Sequence, residues 1–161
     1  GPATLLTPKF LNHVGVDNAL EFIEGLSRGR FYLGAAQAPL VFEVARAGDA
    51  AALECIRWVG RELGDMAVGV IRQLTFEKLD FEVVLTGSLY KGSQLIAESM
   101  QEIIHAVAPK ARLVYLNAPP VVGGVLLGMQ QAGVDFRPLR EKLVDGAKKE
   151  LAWTAASVVN D

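Results

Sequence analysis

Apolar residues recur every three or four positions along most of this chain, a spacing that places them on one face of an α-helix. The longest run of this kind spans residues 50–74 and predicts a single long helix. The positions assigned to its buried face are Leu53, Ile56, Gly60, Leu63, Ala67, Val70 and Leu74. Small residues on that face indicate that another element approaches closely. Asp49 precedes the run and is predicted to cap the helix.

Two segments replace the helical period with short apolar runs rich in β-branched residues, and both are predicted to be buried strands. They are residues 81–85 and residues 113–116, and residues 30–33 are a further prediction of an edge strand. Because one helix separates the two main strands, we expect them to lie parallel in one sheet. Further helices are predicted at residues 7–14, 17–26, 40–47, 93–107, 123–132 and 138–159.

The composition is that of an ordinary folded domain. The 161 residues are 51% hydrophobic with a mean hydropathy of +0.28, which supplies enough apolar surface for a core. The net charge of −2 argues against nucleic acid and acidic membranes as partners. No apolar run reaches the roughly 18 residues that a membrane-spanning helix needs. We expect one cytoplasmic domain over residues 1–161, with Gly1-Pro2 a tag remnant or an internal cut of a longer protein.

The first candidate site is the segment Thr86-Gly87-Ser88, which joins a predicted strand to a predicted helix. Ligands of open α/β sheets bind at the carboxyl ends of the strands. Gly87 has no Cβ, so a planar ring or a phosphate can approach its backbone, and Ser88 offers a hydroxyl group. A tight turn also requires a glycine after a strand, so the residues alone leave both interpretations open.

The second candidate site is the segment 120–128, in which Gly123, Gly124 and Gly128 fall within a predicted helix. Each glycine costs a helix about 1 kcal/mol relative to alanine. Glycine is retained in a helix where a ligand or another backbone must come close. A ligand contact and tight helix packing are therefore equally open from the residues alone.

Taken in order along the chain, these segments resemble a known family. Gly87-Ser88-Leu89-Tyr90-Lys91 resembles the Gly-Ser-apolar-aromatic-Lys stretch of N-acetylglucosamine kinases, and residues 120–128 resemble the glycine-rich start of their late helix. Residues 6–8, and residues 45–49 before a long helix, occur in the same order in BadF/BadG/BcrA/BcrD-type ATPases. The likeness covers residues 5–133 and is to the C-terminal half of these actin-like ATPases.

This resemblance implies an α/β, RNase H-like (actin-like ATPase) domain, with a mostly parallel or mixed sheet flanked by helices and extra helices at both ends. In the family, ATP and Mg²⁺ lie in a cleft between two such domains. The positions that match its cofactor-binding motifs are Thr86, Gly87, Ser88, Lys91, Pro120, Gly123 and Gly124. The first four match the adenosine motif, and the last three match the segment at the hinge between the domains. The resemblance also leaves open a role for Asp49 facing the cleft.

The family's phosphate-binding Asp-Gly-Gly-Gly-Thr loop and its acidic general base are absent from this chain. Both belong to the N-terminal half, so the resemblance implies that half as a partner, with no catalytic or metal-ligating residue here. Phosphoryl transfer depends on groups placed around the γ-phosphate, so this fragment alone is expected to be inactive. The whole protein is expected to be a homodimer that phosphorylates N-acetylglucosamine or a related amino sugar.

Two alternatives stay open beside the sugar kinase. One is a BadF-type ATPase that activates an acyl-CoA reductase or dehydratase, and the other is a non-catalytic dimerisation or binding module. His13 and His105 fall in predicted helices without the spacing of metal ligands. Cys55 is predicted to be a small core residue. Trp58 and Trp153 are candidates for an interface, because exposed aromatic side chains mark partner-binding surfaces.

Overall fold

The computed structural model describes residues 3–116 and 118–158, with side chains through Leu151. The chain divides into two compact units, Gly1–Val114 and Tyr115–Asp161. The elements of the first unit are α1 (Leu6–Val14), α2 (Ala19–Ser27), α3 (Ala38–Arg46), α4 (Ala50–Gln73), β1 (Phe81–Leu85), α5 (Leu89–Gly92), α6 (Gln94–His105) and β2 (Ala111–Tyr115). The second unit contains α7 (Pro120–Gln131), a short 3₁₀ helix (Arg137–Leu139) and α8 (Arg140–Val158).

The fold is α/β and mainly helical, with β1 and β2 paired in a small parallel sheet flanked by helices, which confirms the predicted class. Among the described residues these are the only strands, so the prediction of an edge strand at residues 30–33 is wrong. The backbone N–H groups of Arg30 and Phe31 both donate to the Gly25 carbonyl, at 2.7 and 3.2 Å. They therefore complete the end of α2 and are not free to join a strand ladder.

Asp49 begins α4 as predicted. Its carboxylate accepts hydrogen bonds from the N–H of Ala52 at 2.9 Å, from the N–H of Leu5 at 2.7 Å and from the hydroxyl of Thr4 at 2.9 Å. The backbone hydrogen bonds from Leu5 and Ala52 hold the pKa of Asp49 below its ordinary value of 3.8. One side chain thus caps the longest helix and ties the segment before α1 to it.

The buried face of α4 differs from the prediction in its C-terminal half. Val70 and Leu74, which were assigned to that face, are exposed. The buried positions are Ala52, Ile56, Gly60, Gly64, Val68 and Ile71. Strict alternation of three and four residues has a period of 3.5, whereas the helix repeats every 3.6 residues, so a straight helix turns its face gradually. The start of α4 packs in one core cluster with α3, and its end packs in a second cluster with β1 and α6.

The contact between α4 and α6 is the most extensive helix packing of the first unit, and glycine makes it possible. A Cβ built on Gly60 would lie 2.6 Å from the carbonyl oxygen of Ile96. A Cβ built on Gly64 would lie 2.8 Å from the Cβ of Ile103. Ordinary side chains do not fit at those separations, so the predicted close approach at the small residues of this face is confirmed at Gly60.

In the second unit, α7 and α8 both occur close to their predicted positions. Val122 is the buried residue of α7, and α8 ends at Val158 among the described residues, so the predicted last residue, Val159, lies outside them. Across the part of the chain that the structure describes, no helix is both long and apolar enough to cross a membrane.

Candidate functional site

The loop that follows β1 is exposed and has a left-handed residue at its centre. Leu85 ends β1 in the core, whereas Thr86, Gly87 and Ser88 are all exposed. Gly87 has φ +108°, a conformation that favours glycine, so a turn does require it. A Cβ built on Gly87 would have no atom within 4 Å, so no neighbouring group covers the backbone there. Both interpretations that the sequence left open are therefore compatible with this loop.

The residues that follow this loop in the chain anchor it to the core. Leu89 and Tyr90, at the start of α5, pack against the buried clusters, and the hydroxyl of Tyr90 lies 3.9 Å from Sδ of Met100. Ser88 directly precedes α5, and its side chain makes no capping hydrogen bond. Lys91 lies in α5 and is exposed, and its N–H donates to the Ser88 carbonyl at 3.0 Å. The loop is thus held at both ends while its polar side chains stay accessible.

The start of α7 also leaves backbone uncovered. Pro120 is the first residue of the helix, where its missing N–H costs nothing. Gly123, Gly124 and Gly128 are exposed, and a Cβ built on any of them would have no atom within 4 Å. Within the second unit, tight helix packing, one of the two explanations that the sequence left open, therefore does not account for these three glycines.

An apolar cavity of about 550 Å³ lies within the second unit. The residues that line it are Val121, Val122, Val125, Leu139, Lys142, Leu143, Gly146 and Ala147. Lys142 is the single charged side chain among them. The sequence patterns of α7 and α8 did not reveal this cavity, because it forms only where the two helices meet.

No metal centre is present among the described residues, since no three of their His, Cys, Asp and Glu side chains are grouped to hold an ion. His105 Nε2 donates to the carbonyl oxygen of Ala111 at 2.8 Å and so links the end of α6 to β2. His13 Nε2 lies 3.4 Å from Nε2 of Gln37 on the surface. Both histidines are accounted for by these structural contacts.

The prediction that Cys55 is a core residue is wrong, because its thiol-bearing side chain is exposed on α4. At 100° per residue it lies about 100° around the helix from Ile56 and about 140° from Gly60, both of which are buried. Trp58 is exposed, as an interface candidate should be. The side chain of Trp153 lies outside those that the structure describes.

The seven predicted nucleotide contacts form two local groups. Thr86, Gly87, Ser88 and Lys91 lie together after β1 in the first unit, and the other three lie at the start of α7 in the second unit. Comparisons with protein-family models, with curated proteins and with solved structures found no match for this chain.

Proposed function

We propose that this chain is the adenosine-binding half of an ATP-dependent sugar kinase, whose substrate is N-acetylglucosamine or a related amino sugar. The observation that carries the proposal is the loop after β1. It stands at the carboxyl end of a strand, it is anchored on both sides, and the backbone of Gly87 faces open space. Its residues are also those that resemble the adenosine motif of the kinase family. The parallel pair β1 and β2 with its flanking helices is then part of an RNase H-like domain.

In this proposal each residue of the loop makes a different contact with ATP. The uncovered backbone at Gly87 admits a planar purine ring, which a Cβ would obstruct. The exposed hydroxyls of Thr86 and Ser88 supply hydrogen-bonding groups for the ring or the ribose. Lys91 offers a positive charge one turn further on. These groups fit a neutral nucleoside with a charged tail, which is the chemistry of ATP.

The phosphoryl-transfer groups are proposed to come from the N-terminal half of the parent protein. ATP with Mg²⁺ supplies the γ-phosphate and the charge that stabilises its transfer. In this proposal Mg²⁺ is held by that N-terminal half, as the resemblance implies. We propose that this N-terminal half approaches the second unit at Gly123 and Gly124, where the backbone of α7 is uncovered.

Nucleoside binding by this chain tests the assignment of the loop. We expect adenosine and ATP to shift the backbone amide NMR signals of residues 86–91, and Gly87→Ala to weaken that binding at least tenfold. Gly15→Ala is the matched control, because Gly15 also has a positive φ and an open Cβ position but ends α1. Both variants place alanine at a positive φ, +75° at Gly15 and +108° at Gly87. Absence of adenosine binding, or equal binding by Gly87→Ala and the wild type, would show that this loop is not the adenosine site.

The sugar assignment has its own test in the parent protein. Consumption of ATP should require an amino sugar, and N-acetylglucosamine should be converted to its phosphate. ATP hydrolysis that no amino sugar stimulates would contradict the kinase assignment and favour the ATPase alternative. A parent protein without any phosphate-binding loop upstream of this chain would favour the binding module.

A further inference from the structure

The apolar cavity between α7 and α8, which we name the α7–α8 cavity, has the size of a small-molecule site. Its volume is about 550 Å³, and ligand pockets in proteins commonly measure roughly 300–1,000 Å³. Val121 and Val125 of α7 line it and are 60% and 42% exposed, although both side chains are wholly apolar. Covering such side chains with an apolar group is favourable because it removes their surface from water. The cavity therefore favours a ligand with an apolar body.

Small residues of α8 provide the space. The lining residues of this helix form one stripe, in which Gly146, Leu143 and Ala147 lie about 40°, 100° and 140° around the axis from Lys142. A Cβ built on Gly146 would have no atom within 4 Å, so this position faces open space. Glycine is unfavourable in the interior of a helix, and here it keeps the middle of the stripe free of a side chain.

One positive charge stands at the edge of this stripe. Of the described residues that line the cavity, Lys142 alone is charged, and its side chain is exposed. No described carboxylate forms an ion pair with it. Its acidic neighbours on α8, Glu141 and Asp145, are exposed and do not line the cavity. An ammonium group at the rim can hold an anionic head group in contact with water while an apolar tail lies between the helices.

The cavity differs from the surfaces proposed above for the nucleotide and for the N-terminal half. All of its lining residues belong to the second unit, whereas the loop after β1 belongs to the first. Gly123 and Gly124, where the N-terminal half is proposed to approach, do not line the cavity. The direction midway between these two glycines lies about 160° around α7 from the mean direction of its three cavity-lining valines. A partner that approaches the glycines therefore does not have to cover the cavity.

We propose that the α7–α8 cavity binds a small anionic amphiphile, a carboxylate with an alkyl tail, whose head group pairs with Lys142. The described lining residues supply one positive charge, which matches a carboxylate better than a phosphate monoester with its roughly 1.5 to 2 negative charges at pH 7. None of these residues is aromatic, so the cavity offers a flexible aliphatic tail the contacts it needs and offers a ring no stacking partner. The site does not depend on nucleotide binding by the loop after β1.

NMR titration of this chain with octanoate tests the location of the site. The methyl signals of Val121, Val125 and Leu143 should shift, whereas those of Val68, which is buried in the first unit, should not. Across butanoate, hexanoate and octanoate, the affinity should rise about fourfold for each methylene group that the cavity buries. No shift of the three cavity signals at millimolar octanoate would overturn the proposal.

A charge-removing variant tests the head group at low ionic strength. Lys142→Met keeps most of the apolar stem, and should weaken octanoate binding about threefold, the strength of an exposed ion pair, while binding of 1-octanol stays unchanged. The same variant should bind octylammonium more tightly than the wild type does. Lys148→Met is the matched control, because Lys148 is an exposed lysine of α8 that does not line the cavity. Equal losses for octanoate and octanol, or tighter binding of octyl phosphate than of octanoate, would contradict the carboxylate assignment.

A cavity-filling variant tests the place of the tail. Gly146→Leu puts a side chain into the open space, and should weaken the binding of octanoate and of octanol at least about tenfold. The fold should be retained, because leucine is a better helix former than glycine, and circular dichroism checks this. Gly69→Leu makes the same change at an uncovered glycine of α4 and should leave octanoate binding unchanged. A folded Gly146→Leu protein that binds octanoate as the wild type does would overturn the proposal.

Discussion

Replacing Gly60 with alanine should loosen the contact between α4 and α6. The added methyl group would lie 2.6 Å from the carbonyl oxygen of Ile96 and 2.7 Å from the Cβ of Ser99. Neither atom is at the flexible end of a side chain, so one of the helices must move. Overpacking of this kind costs about 1–3 kcal/mol, and a backbone obstacle puts the cost in the upper part of that range. Alanine has a helix propensity about 1 kcal/mol more favourable than that of glycine. The net loss in the free energy of unfolding is therefore roughly 1–2 kcal/mol.

Gly69→Ala is the matched control, since it makes the same chemical change in the same helix. No atom lies within 4 Å of the Cβ position of Gly69, so the substitution should stabilise the protein by about 1 kcal/mol. The propensity gain is common to both variants, and the difference between them isolates the packing cost at Gly60. In thermal unfolding, each kcal/mol corresponds to roughly 2–4 °C for a chain of this length.

Urea unfolding followed by far-UV circular dichroism measures both variants. The protein concentration should be low enough that the midpoint does not depend on it, because Gly69 is exposed on α4. We expect Gly60→Ala to unfold at lower urea than the wild type and Gly69→Ala at higher urea. Equal shifts for the two variants, or a Gly60→Ala protein more stable than the wild type, would refute the close packing of α4 on α6.

The pKa of Asp49 is lowered in the folded protein, so its contribution to stability is complete above its ordinary pKa of 3.8 and is lost as the pH falls through the folded value. Asp49→Asn keeps a capping oxygen without the charge. The free energy of unfolding of this variant should therefore fall less steeply below pH 3.8 than that of the wild type. Parallel curves of stability against pH for the two proteins would contradict this. Ile104→Ala should cost about 2–5 kcal/mol in urea unfolding, because Ile104 is 0% exposed. Leu20→Ala, at a side chain that is 69% exposed, should change stability by less than about 0.5 kcal/mol, and similar losses for the two would contradict the core assignment.

Features set by local chemistry could be predicted from the sequence. The long helix after Asp49 was expected over residues 50–74 and occurs as α4, and the strand of residues 81–85 occurs as β1. Capping by Asp49 depends on the backbone N–H of a residue three positions away, so it is a local property. The turn at Gly87 follows similarly, because a glycine directly after a strand is a local turn signal.

Features that depend on distant partners could not be predicted in the same way. The short helix α5 was missed, since it is held by the packing of Leu89 and Tyr90 on the cores and not by its own four residues. An edge strand was expected at residues 30–33, but the N–H groups of Arg30 and Phe31 donate to the carbonyl of Gly25. The exposure of Cys55 was missed because its position on α4 looked apolar in sequence.

The glycines of α4 show most clearly which features the sequence predicts and which depend on the tertiary structure. The sequence by itself determined that a long amphipathic helix follows Asp49, because helical period and capping are carried by neighbouring residues. It could not distinguish Gly64, which lies against Ile103 of α6, from Gly69, which faces open space in the same helix, since neither was assigned to the buried face. That difference depends on where α6 crosses α4, and the crossing is set by residues some 35 to 40 positions away, from Ile96 to Ile103. Only the folded chain brings those residues together.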